Sequence, residues 1–141
     1  MAETFPLRLV TPTGIVFEGP VTEVTAKGPL GEFGILAEHI NFITSLVPGV
    51  VDVTLPGGGA HLRWVVAGGL AEVRDGTLTL LADTAEAPEK LDAAEARREE
   101  QEADAKVSAM SSYDPDYEAA HHDLELARAR VEAAAIRDAQ H

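Results

Sequence analysis

At Asp83 the sequence changes character, and that break restricts the chain to a two-part fold. Ahead of it, short runs of β-branched and large apolar residues are punctuated by glycine, proline and Asp-Gly; behind it glycine disappears and alanine, glutamate and arginine take over. Glycine and proline interrupt regular structure, whereas alanine, glutamate and arginine are strong helix formers. The break therefore separates a β-built part, residues 1–86, from a helical part, residues 87–141.

In the first part, Phe5, Leu7 and Leu9 alternate with Pro6, Arg8 and Val10 before Thr11-Pro12-Thr13-Gly14 turns the chain, and residues 21–26 resume with β-branched side chains. Residues 50–55 and 61–67 flank the loose loop Pro56-Gly57-Gly58-Gly59, and residues 70–74 and 77–82 flank the tight turn Asp75-Gly76. Both pairs have the form of hairpins. Short strands recurring every ~8–12 residues with a turn signal at each break predict an all-β sandwich or barrel.

In the second part, Pro88 suits the first turn of a helix whose small apolar face is Ala93, Ala96, Ala103, Val107 and Met110, interrupted by Glu100. Ser111-Ser112-Tyr113-Asp114 ends it, with Asp114 expected as the N-cap and Pro115 as the first residue of a second helix. There Tyr117, Ala120, Leu124, Ala127, Val131 and Ala134 recur at steps of three and four, which makes one continuous apolar face. Two such helices with a short polar loop predict an antiparallel αα-hairpin, so the whole chain is α+β, a β-sandwich followed by a hairpin. An alanine seam buries little area, so the hairpin needs a docking surface, either on the β part or on another protein, and is able to move between the two.

Net charge is −13, with net −6 in residues 1–86 and −7 in residues 87–141. Such a surface repels phosphate backbones and anionic headgroups, so nucleic acid and lipid are disfavoured and the partners should be proteins. The longest uncharged apolar stretch runs over the eight residues 64–71, too short to enter a bilayer as a spanning helix. The start of the sequence carries no basic and apolar secretory pattern, and the absence of cysteine suits a reducing compartment.

Few residues suggest chemistry. His39 beside Glu38 has the types of a base and its orienting acid, but no nucleophile or metal set accompanies them. His121 and His122 are adjacent and point to different sides of a helix, which disfavours zinc, and they are expected to be solvated. His61 is expected on an exposed strand face. Gly28, Gly31 and Gly34 lack the lysine and helix start of a phosphate loop and suit turns or bulges. Arg128, Arg130 and Arg137 form a basic cluster in an acidic chain, serving either to balance Glu125 and Glu132 or to meet an acidic partner.

The run Gly31-Glu32-Phe33-Gly34-Ile35 with His39, then Pro48-Gly49, then Ala67-Gly68-Gly69 with Glu72-Val73, and then Leu80-Leu81-Ala82-Asp83-Thr84-Ala85, resembles the epsilon subunit of the bacterial F-type ATP synthase. The resemblance implies a sandwich of about ten strands that grips the foot of the gamma subunit and sits on the c-ring. It implies a non-catalytic rotor subunit, peripheral on the cytoplasmic face of the bacterial plasma membrane, coupling proton-driven rotation to ATP synthesis. By that likeness Glu32 faces the c-ring and His39 the gamma subunit. The hairpin would block ATP hydrolysis when extended, with Arg128, Arg130 and Arg137 meeting the alpha and beta subunits of the catalytic head. Members that bind ATP begin the first helix with Ile/Leu-Asp-x-x-Arg-Ala. This chain has Leu91-Asp92-Ala93-Ala94-Glu95-Ala96, so Glu95 stands in place of the motif arginine and no cofactor is expected. The rival readings are a non-catalytic adaptor of another assembly and a small hydrolase using His39 and Glu38.

Overall fold

The computed structural model describes residues 3–140. Ten strands precede the helices: β1 Phe5–Thr11, β2 Gly14–Val21, β3 Glu23–Gly28, β4 Gly31–Leu36, β5 Phe42–Leu46, β6 Gly49–Thr54, β7 His61–Val66, β8 Gly69–Arg74, β9 Thr77–Ala82 and β10 Ala85–Glu86. They form two five-stranded sheets. Sheet A has the order β2-β1-β9-β8-β5, with β1 and β9 parallel, and sheet B the order β10-β7-β6-β3-β4.

Period-two alternation decides which side chains enter the space between the sheets. Phe5, Leu7 and Leu9 of β1 and Leu78 and Leu80 of β9 point inward from sheet A. They meet Val24, Ala26, Val51 and Val53 from sheet B in a single buried cluster. Pro6 is tolerated in β1 because its ladder with β9 begins only at Leu7.

Sequence reasoning passed over β2, whose Gly14, Gly19 and Pro20 blur the alternation. It is an edge strand, where an interrupted donor row costs nothing. The Asp75-Gly76 hairpin forms as expected, both residues having positive φ, 50° and 83°.

The helical part begins later than the sequence suggests. Pro88–Lys90 is one turn of 3₁₀ helix, and the first α-helix, α1, is Ala93–Ser108, capped by Asp92, whose carboxylate accepts the Glu95 N–H at 3.0 Å. The second, α2, is Tyr117–Ala139. Asp114 and Pro115 are not its cap and first residue. Asp114 instead accepts the Asp116 N–H at 2.8 Å in a local turn, and Asp116 is the N-cap.

The helices pair with each other as an antiparallel hairpin, and α2 lies across β6 and β7 on the outer face of sheet B. Besides the predicted face, which buries Ala120, Leu124, Ala127 and Ala134, α2 buries Ala129 and Ala133. These two alanines meet Val65, with Val50, Leu91 and Leu126 around them, in a small cluster separate from the sandwich core.

Gly69 is where the sandwich is least tolerant of a side chain. Its φ is +142°, and a Cβ there would collide with the Leu81 carbonyl across the β8–β9 ladder. Gly69→Ala is expected to cost about 2 kcal/mol or more in urea unfolding. Gly34→Ala, whose Cβ would meet Thr25 Cγ2 at 3.8 Å and Glu23 Oε2 at 3.9 Å, both ordinary van der Waals contacts, should stay within about 1 kcal/mol of the parent.

Candidate partner-binding surfaces

The outer face of sheet A is apolar where a solvated strand face is usually polar. Cross-strand pairing runs Ile15 to Val10, Val10 to Leu81, Leu81 to Leu70 and Leu70 to Ser45, a row that crosses all five strands. Ile15, Leu81 and Leu70 are 54%, 48% and 44% exposed. The next row carries Glu18, Arg8, Thr79 and Glu72 and ends on the exposed Ile43, with Arg8 and Glu18 paired at 2.6 Å. A contiguous apolar row bordered by charge marks a protein interface. The sequence held one sign of it. In Thr77-Leu78-Thr79-Leu80-Leu81-Ala82 the alternation breaks at Leu81, which puts a leucine on the solvent side.

Glu32 and His39 lie apart from that row. Glu32 is exposed on β4, opposite Lys27 of β3, and with Lys27 it borders a groove of about 190 Å³ whose far wall is His121, Glu125, Arg128 and Glu132 of α2. His39 sits in the loop between β4 and β5, with its ring centroid 4.9 Å from that of Phe42, which meets Phe33 edge-on. Asn41 ties the end of this loop to the β8–β9 turn by accepting the Asp75 N–H at 2.9 Å. His39 Nδ1 donates to the Ile40 carbonyl at 2.9 Å rather than to Glu38. Among the described residues no hydrogen bond or ion pair joins His39 to Glu38.

The three arginines of α2 do not form one exposed cluster. Arg128 faces solvent, 3.6 Å from Asp104. Arg130 turns inward and forks onto both oxygens of Glu86, at 2.8 and 2.7 Å, while its other terminal nitrogen reaches Glu99 at 3.4 Å. Arg137 donates to the carbonyls of Pro88 and Leu91. A contact of Arg130 or Arg137 with another chain requires the hairpin to leave sheet B. The histidines also have partners. His122 Nε2 donates to the Ala67 carbonyl at 2.7 Å, His121 lies 2.9 Å from Glu125, and the exposed His61 is bonded to Asp52.

Residues 4–88 match the family described as ATP synthase, Delta/Epsilon chain, beta-sandwich domain. The chain belongs to this family. The ATP synthase epsilon chain of Afipia carboxidovorans is 42% identical over 104 residues, 74% of this chain and 75% of that one. The epsilon chain of Geobacter metallireducens is 36% identical over 134 residues, 95% of this chain and 96% of its own length, so the likeness runs through the hairpin. Among solved structures, a chain of the Euglena gracilis mitochondrial ATP synthase (OSCP/F1/c-ring, rotational state 1) superposes with a TM-score of 0.79 at 25% identity, covering 98% of this chain and 82% of that one. A chain of the Tetrahymena thermophila mitochondrial ATP synthase central stalk and c-ring shares the fold, with a TM-score of 0.63 at 14% identity, over 94% of this chain and 98% of that one.

In this epsilon-type chain, Leu91, Asp92, Glu95 and Ala96 line a cleft of about 580 Å³ between β10, α1 and α2. Its charged walls are Glu86, Asp92, Glu95 and Glu99 against Lys90 and Arg130. Glu95 is tied to Arg98, one turn along α1, and Arg98 also reaches Glu102. The hydrogen bond from Arg98 holds the Glu95 carboxyl below its ordinary value of 4.5. Because the folded-state value is depressed, the pair supports α1 above 4.5 and is lost as pH falls through the lower folded value. Circular dichroism should show α1 of the parent chain loosening in that acid range, with a smaller pH response in Glu95→Gln. An equal response in both chains would refute the pairing.

Proposed function

We infer that this chain is a non-catalytic central-stalk subunit of an F-type ATP synthase, coupling rotation of the membrane ring to the catalytic head. The observation that carries the reading is the division of its two outer faces. Sheet B is covered by the hairpin, and sheet A presents the bare row Ile15, Val10, Leu81 and Leu70. A rotor part must be gripped firmly on one side while any regulatory arm works from the other, and a broad flat sheet supplies a rigid grip. Membership of a family whose full-length bacterial relatives are epsilon chains supports the same assignment.

In this reading the row on sheet A and His39 take the gamma subunit, and Glu32 faces the c-ring. The hairpin is the inhibitory element, and Arg128, Arg130 and Arg137 reach the alpha and beta subunits only after release. The subunit is peripheral, on the cytoplasmic face of the bacterial plasma membrane. Nucleotide is not assigned to the cleft at the head of α1. A triphosphate needs several converging donors, whereas Arg130 is engaged by Glu86 and Glu99, which leaves Lys90 facing the carboxylates of Glu86, Asp92, Glu95 and Glu99.

Leu70→Glu combined with Leu81→Glu should weaken binding to the isolated gamma subunit by about tenfold or more, since it puts charge at the centre of an apolar row that the contact would bury. Thermal unfolding should change little, because both side chains point away from the core. If the parent chain fails to bind gamma, the reading gives way to an adaptor of another assembly. Removal of residues 87–141 from the reconstituted complex should raise ATP hydrolysis while leaving gamma bound; unchanged hydrolysis would remove the regulatory role and leave the coupling role standing.

A further inference from the structure

The hairpin rests on sheet B over a small apolar area. Beneath α2 lie Val65 and the half-buried Val50, met by the methyl groups of Ala129 and Ala133 and flanked by Leu91 and Leu126. An interface made of alanine and valine gains little from burial, so the polar fastenings decide whether it stays closed.

Those fastenings lie on one side of α2. His122, Arg130 and Arg137 are eight and then seven residues apart, about two turns each, and each reaches across to a fixed point below. His122 and Arg137 meet backbone carbonyls. Arg130 meets charge. Its fork closes on Glu86, which is held in place because β10 is paired to β7, with Glu86 opposite Val65. Its remaining terminal nitrogen holds Glu99 of α1, so a single guanidinium joins the sandwich, α1 and α2. Partial burial opposes the charge, but the hydrogen bonds that Arg130 donates to Glu86 outweigh it and hold Arg130 more firmly protonated than a free arginine.

We propose that Arg130 and Glu86 are an ionic latch that keeps the hairpin closed on sheet B without a ligand, so that closure weakens with ionic strength and is indifferent to nucleotide. The sign of the salt effect distinguishes the latch from the apolar seam. Salt screens an ion pair that is still about one-third exposed, whereas it does not weaken apolar burial. The latch belongs to the isolated chain. Its consequence for ATP hydrolysis rests on the inhibitory role given to the hairpin above.

Because the chain contains no cysteine, a single introduced thiol can report opening. Val65 is fully covered although it lies on the outer face of β7, so Val65→Cys becomes reactive only when the hairpin lifts. Val53→Cys, in the sandwich core, reports unfolding instead. The rate of thiol modification in the full chain is then compared between backgrounds. Arg130→Gln should raise the rate at the Val65→Cys thiol by about tenfold, in proportion to the larger open fraction, and leave the Val53→Cys thiol protected. Sodium chloride should speed labelling in the parent background and have little effect with Arg130→Gln, and millimolar ATP should change neither rate. Reversing the pair, Glu86→Arg with Arg130→Glu, should restore protection when Glu99→Gln removes the repulsion that Arg130→Glu introduces.

Parent-like protection in Arg130→Gln would overturn the latch. So would equal loss of protection at both thiols, failure of the reversed pair to restore it, or ATP-dependent protection. Hydrolysis by the reconstituted complex is read separately, so a latch that opens without affecting hydrolysis would count against the inhibitory role and not against the latch.

Discussion

Burial of Val65 under Ala129 and Ala133 organises the surface of this molecule. A two-sheet sandwich fills its interior with one face of each sheet and leaves two outer faces to be covered or exposed. The contact at Val65 takes the outer face of sheet B out of solvent and lays α2 along β6 and β7. The outer face of sheet A then remains the open face, and its apolar row meets water. The two sides can serve different purposes because the cluster at Val65 is separate from the sandwich core. Lifting the helices uncovers Val50, Val65, Ala129 and Ala133 with the flanking Leu91 and Leu126, without disturbing Leu7, Leu9, Leu78 or Leu80.

Electrostatics follows the same division. The chain is strongly acidic, yet Arg130 and Arg137 point inward, between the hairpin and the sandwich. A guanidinium placed there satisfies carboxylates and backbone carbonyls that an alanine seam could not, and its bond is directional where the methyl contacts are not. Arginine therefore supplies position as well as attraction. Exposed pairs such as Arg8 with Glu18, or Arg98 with Glu95 and Glu102, contribute little beyond local order.

Much of the architecture was legible in the residues. The change at Asp83 falls just ahead of the last strand, β10, and of the helices that follow it, Asp75-Gly76 makes its hairpin, and the three-four steps from Tyr117 to Ala134 give α2 one of its buried faces. Strand β2 was obscured because an edge strand accepts Gly19 and Pro20, and the start of α2 was misplaced because Asp114 closes a local turn instead of capping. Of the candidate surface, Glu32, His39 and the three arginines were singled out. The row through Val10, Leu81 and Leu70 was not, because it is assembled across strands, one residue from each. The second buried face of α2 was missed because alanine at 129 and 133 looks the same in sequence whether it meets a valine or water.

By itself the sequence determined where strands give way to helix, which turns close, and the period of the apolar positions. These depend on backbone preferences and on spacing over a few residues. Only the tertiary structure decided which outer face is bare, and that Arg130 faces the sandwich instead of solvent. Both depend on meetings across long separations, Val65 with Ala133 and Glu86 with Arg130, which no local pattern encodes.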